Sequence, residues 1–94
     1  MDVVSDEQMI NLLNELETGT DLELEITCLG GTDKIRGKYK GGLEQNGYYK
    51  PRGGWSCSES EGSVPCYQFL FQQKGKRKFY IMRIGYQVVG IQLV

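Results

Sequence analysis

The chain has 94 residues, 39% of them hydrophobic and 24% charged, with a formal net charge of -1, the composition of one compact domain spanning residues 1–94. No segment approaches the roughly 20 apolar residues needed to cross a bilayer, and the acidic start MDVVSDEQ lacks the basic and apolar regions of a secretory signal, so a cytoplasmic protein is expected. Histidine is absent, which removes the commonest general base and transition-metal ligand together.

The first element is a helix expected over 6–18. Ser5 is its N-cap with Gln8 completing a capping box, Val4 and Met9 occupy the hydrophobic-staple positions, Asp6 and Glu7 suit the positive end of the dipole, and Gly19 supplies the stop. Met9, Leu12, Leu13 and Leu16 form an apolar stripe that packs on a sheet. Glu15 and Glu17 at the C-terminal end conflict with the dipole, and nearby basic groups, in the fold or in a partner, would remove the conflict.

A hairpin follows, with strands at 22–29 and 34–40 around Gly30-Gly31. Taking those two glycines as the loop pairs Glu25 with Arg36, Glu23 with Lys38 and Asp21 with Lys40, a charged ladder on the face opposite Leu22, Leu24 and Ile26. Gly41-Gly42 marks a bend or bulge, and Asn46-Gly47 reads as a type I′ hairpin turn before a short strand at 48–51. Residues 52–65 form one long glycine- and serine-rich loop.

Three strand-like runs close the chain, at 67–73, 78–84 and 87–93. Tyr67, Phe69, Phe71, Tyr80, Met82, Ile84, Val89 and Ile91 share one face, with Leu70, Phe79, Ile81, Val88 and Val94 on the other. The fold class is therefore α+β, an N-terminal helix packed on a five- or six-stranded antiparallel meander. One helix cannot cover two apolar faces, so the sheet either curls into a small barrel or is covered by a second subunit. The open final edge favours a homo-oligomer.

Charge is segregated along the chain. Residues 1–33 carry nine acidic and no basic side chains, whereas the later part carries all eleven basic residues and all ten aromatic ones. Interleaved cations and rings of this kind bind single-stranded nucleic acid, although the hairpin ladder accounts for part of the pattern internally. Two clusters stand out as candidate ligand-binding sites. The first is Tyr48, Tyr49, Lys50, Arg52 and Trp55 with the Gly53-Gly54 pair. The second is Lys74, Lys76, Arg77 and Lys78, four cations in five positions around a turn.

Motifs for chemistry are sparse: no phosphate-binding glycine loop, nucleophile elbow or nucleophile with a histidine partner occurs, so the expectation is not an enzyme. Cys28, Cys57 and Cys66 have no zinc-like spacing, and no cofactor or metal is expected. Cys57 and Cys66 bracket CSESEGSVPC and would close a small disulfide only in an oxidising setting. The leading functional expectation is a small oligomeric protein that binds nucleic acid or a nucleotide-like anion on a basic-aromatic surface. The alternative is a protein-binding module or inhibitor that meets a partner protein through the acidic residues Glu7, Glu15 and Glu17. No membrane association is expected.

Overall fold

The computed structural model describes residues 5–51 and 53–94. It shows a small α+β fold, one helix on a curled antiparallel sheet that forms a half-barrel. In chain order the elements are α1 (Asp6–Glu15), β1 (Asp21–Cys28), β2 (Gly31–Tyr39), β3 (Glu44–Tyr49), β4 (Trp55–Ser56), β5 (Val64–Gln73), β6 (Tyr80–Arg83) and β7 (Val88–Leu93). No helix among the described residues is long and apolar enough to cross a membrane.

Helix α1 begins as its sequence dictates, with the Ser5 hydroxyl accepting the Gln8 N–H at 3.1 Å; Val4, the other half of the expected staple, lies outside the described residues. The helix ends three residues earlier than expected. Leu16 is extended, and the Gly19 N–H goes to the Tyr39 carbonyl at 2.7 Å, so the chain is captured by β2 before another helical turn closes. Glu17 thus leaves the helix, and only Glu15 remains in the last turn. Met9 and Leu13 enter the core beside Leu22, Leu24, Tyr39, Phe69, Phe71, Ile84, Val88 and Ile91.

The first hairpin keeps the expected faces but not the expected register. Cys28 opposes Gly31, which makes Leu29-Gly30 the loop, and the charged partners become Asp21 with Lys38, Glu23 with Arg36 and Glu25 with Lys34. A shift of two residues leaves every side chain on its own face. Arg36 and Lys38 meet Glu23 and Asp21 at 2.9 and 3.0 Å.

The sheet is not a simple meander. β5 pairs with β2 at Gly37–Tyr39 and with β3 at Glu44–Tyr49, so these two strands follow one another along a single edge of β5. The joint is Lys40–Leu43, where Gly41 and Gly42 both take positive φ, at 79° and 71°, a region costly for any residue with a Cβ. Backbone bonds from Lys40 N–H to Leu70 O and from Leu70 N–H to Gly41 O, both 2.8 Å, carry the ladder through the bend. On its other edge β5 pairs with β6, and β7 returns to β1.

Three further expectations are corrected. Asn46-Gly47 forms a bulge inside β3 rather than a hairpin turn, because these two residues oppose the one β5 residue between Pro65 and Tyr67. The cause is long-range: Asn46 donates to the Gln68 amide oxygen at 3.2 Å and accepts from the Trp55 indole at 3.0 Å. The second correction concerns Val88, which lies in the core and not on the outer face. A bulge where Glu25 opposes Gly90 and Ile26 opposes Val88 skips Val89, so Val88 and Ile91 both turn inward. The loop expected over 52–65 also contains β4 and the start of β5.

Gly37 marks the tightest crossing in the sheet. A Cβ there would sit 2.6 Å from Phe71 Cζ and 2.8 Å from Gln73 Cα, whereas one at Gly54 would meet nothing within 4 Å. Gly37→Ala is expected to lose at least about 2 kcal/mol in urea denaturation, the scale of overpacking into a filled core. Gly54→Ala should stay within about 0.5 kcal/mol of the parent, as surface changes do. Equal stability of the two variants would contradict the crossing described.

Candidate functional site

The outward face of the half-barrel is built in rows across the strands. Lys34, Arg36 and Lys38 alternate with Ile35, Gly37 and Tyr39 along β2, and the latter set faces inward. Lys38 lies opposite Gln72 of β5. The Gln72 amide donates to the carbonyls of Lys76 and Arg77 at 2.9 and 3.4 Å, which folds the β5–β6 tip back over that face. The Lys74 N–H reaches the Arg36 carbonyl at 2.8 Å and holds the tip to β2.

Between the tip and β1–β2 lies a groove of about 440 Å³, with Arg36, Lys38, Lys74 and Lys76 among its lining residues beside Leu22 and Gly37. Asp21 carries the one acidic side chain in that lining. Arg36 and Lys38 are already matched by Glu23 and Asp21, but Lys74 and Lys76 make no ion pair among the described residues. The groove therefore carries uncompensated positive charge at its outer lip. Arg77 and Lys78 are exposed on the same tip and do not line the groove.

The next row starts at Lys40, whose ammonium lies over the Phe79 ring, 5.4 Å from its centroid. Phe79 is 53% exposed, and the neighbouring Ile81, paired with Leu70 of β5, is 49% exposed. Further along, Gln68 is flanked by Glu44 on β3 and Arg83 on β6. The Arg83 guanidinium covers the Trp55 ring at 4.5 Å. Its Nε is buried without a hydrogen-bond partner among the described residues.

The sequence-derived cluster at residues 48–55 occupies the opposite end of β5 from the tip. Tyr49 opposes Val64, nine positions before Gln73, a separation of about 30 Å at strand rise. The two clusters do not share a pocket. Tyr49 is buried and its hydroxyl donates to Asp6 of α1. Burial, and then that bond and the Asp6 charge, push its pKa well above the ordinary tyrosine value. Trp55 is tied up by Asn46 and Arg83, Tyr48 is half-buried, and Lys50 is exposed in the turn closed by its carbonyl and Gly53 N–H. Arg52 lies outside the described residues.

On the acidic side, Glu7, Glu15 and Glu17 are all exposed, and none forms an ion pair among the described residues. Residues that sequence reasoning assigned only to the hairpin ladder or to an apolar face, namely Arg36, Lys38, Lys40 and Phe79, turn out to border the groove or the row beside it. For Arg36 and Lys40 the shared parity with Lys38 was the available signal, but the strand that unites them with Lys74 and Lys76 is more than thirty residues away from Lys38 in the chain.

No family model, curated protein or solved structure matches this chain.

All three cysteines are free, with Cys66 buried and Cys28 and Cys57 exposed. Burial raises the Cys66 thiol pKa, against a smaller lowering by the Arg83 charge and with a further rise from Asp6. Since the thiolate is the reactive form, Cys28 and Cys57 should react with a thiol reagent at neutral pH while Cys66 reacts only on unfolding. Three thiols reacting at one rate in the native protein would contradict this burial.

Proposed function

We propose that the protein is a non-enzymatic binding protein that takes nucleic acid or a nucleotide-like anion in the groove between β2 and the β5–β6 tip. The observation that carries the reading is the convergence of Lys74 and Lys76, unpaired among the described residues, with Arg36 and Lys38 around one groove of about 440 Å³. A concave surface lined by one sign of charge focuses potential and concentrates a counter-charged ligand. Lysine and arginine at its rim suit phosphate, arginine through its planar fork and lysine as a point charge.

A net charge of -1 does not oppose this reading, because what a ligand meets at short range is the local field. At physiological ionic strength charges separated by more than about 8 Å are largely screened. The acidic residues of α1 and of the serine-rich loop contribute nothing to the groove lining, where Asp21 is the one acidic side chain and already meets Lys38.

The test is fluorescence anisotropy of labelled oligonucleotides titrated at several salt concentrations. Saturable binding is expected, and the Lys74→Ala, Lys76→Ala double variant should bind about tenfold or more weakly with a salt slope smaller by about two, since each lysine-phosphate contact contributes about one. Both lysines are exposed, so the variant should melt like the parent. Unchanged affinity in that variant would overturn the groove as the site. Failure of oligonucleotides and mononucleotides to bind at low salt would overturn the reading altogether and favour a protein partner at Glu7, Glu15 and Glu17.

A further inference from the structure

Resting on that reading, we infer that the ligand is an unpaired strand rather than a duplex, with its backbone in the groove and a base stacked on Phe79. Phe79 immediately precedes β6 and belongs to the same outward face as Lys38 and Lys40. Lys40 follows Lys38 by two positions, just past the end of β2 at the start of the Lys40–Leu43 joint, so the cations that line the groove lead on to the ring. The Lys40 ammonium lies over the ring, 5.4 Å from its centroid, so a base that stacks on Phe79 takes the ring's other face or displaces the lysine, and in either case keeps a cation next to the strand.

The ring is the discriminating feature. Phe79 is 53% and Ile81 49% exposed, and together with half-buried Leu70 they make an apolar floor between the basic tip and the Gln68–Arg83 row. Within this fold their exposed area gains nothing, whereas an unpaired base offers a flat apolar face to cover it. Stacking of this kind is tolerant of sequence because every base has such a face. A duplex keeps its base faces inside the helix and presents mainly phosphates at its perimeter, so it would use the groove lysines and leave Phe79 bare. Only an unpaired strand satisfies groove and ring together.

The experiment compares one oligonucleotide sequence as a single strand and as a duplex at the same salt, with the parent, Phe79→Ala and Phe79→Trp proteins. The single strand is expected to bind the parent more tightly. Phe79→Ala should weaken single-strand binding roughly fivefold to a hundredfold, the range of base-aromatic stacking, leave duplex binding unchanged, and be matched by retained binding in Phe79→Trp. Equal binding of both forms by the parent, or a single-strand affinity untouched by Phe79→Ala, overturns this inference while leaving the groove reading in place. Absence of binding by either form overturns this inference and the nucleic-acid form of the groove reading, and failure of mononucleotides as well overturns the groove reading altogether. Thermal melting of the three proteins separates loss of contact from loss of fold, since the half-exposed ring is not part of the buried core.

Discussion

The structure depends on the close crossing of β2 and β5 at Gly37. With no side chain there, the Phe71 ring rests against the β2 backbone, and Gly37, Lys38 and Tyr39 take Gln73, Gln72 and Phe71 as partners. Everything on either side follows from that contact. Inward, it brings Tyr39, Phe69 and Phe71 into one core with Met9 and Leu13 of α1. Outward, it sets Lys38 beside Gln72, whose amide then anchors the tip that carries Lys74 and Lys76. One missing methyl group therefore shapes both the packing and the groove.

Charge is arranged to support that geometry rather than to stabilise the fold in bulk. Glu23 is held between Lys34 and Arg36 with its side chain only 14% exposed, and Asp21 meets Lys38 on the open surface. Exposed pairs of this sort contribute about 0–1 kcal/mol, so their main effect is on register and on the direction in which Arg36 and Lys38 point. Lys74 and Lys76, at the tip, make no ion pair among the described residues. Packing supplies the scaffold, the β1–β2 ladder fixes two of the four groove cations, and the β5–β6 tip supplies the two that are unpaired among the described residues.

How far the sequence was legible divides along the distance between interacting residues. Ser5 and Gln8 are three residues apart and mark the helix start correctly, but its end is decided by a bond from Gly19 to Tyr39, twenty residues on. The β1–β2 faces follow from strict alternation, yet alternation has period two and cannot distinguish a loop at Gly30-Gly31 from one at Leu29-Gly30. Asn46-Gly47 carries the strongest local turn signal and still becomes a bulge, because Gln68 and Trp55 engage it from other strands. Val88 was misplaced for the same kind of reason, a bulge set by pairing with distant β1. At the site, the cation density of Lys74–Lys78 was visible locally. Its partners Arg36 and Lys38 were not, since only the β2–β5 pairing brings them together, and Tyr49 and Trp55 proved to be engaged by Asp6, Asn46 and Arg83.

The proposed binding surface is the outward face of β2, β5 and β6. Its most direct test is a backbone-amide chemical-shift map of the isotopically labelled protein titrated with a short single-stranded oligonucleotide. Binding on this face should concentrate the shifts at Arg36–Lys40, Gln72–Lys76 and Phe79–Ile81 and leave α1 unmoved. Shifts centred instead on α1 around Glu7 and Glu15, or on the Tyr48–Trp55 end of β5 with the tip silent, would contradict it.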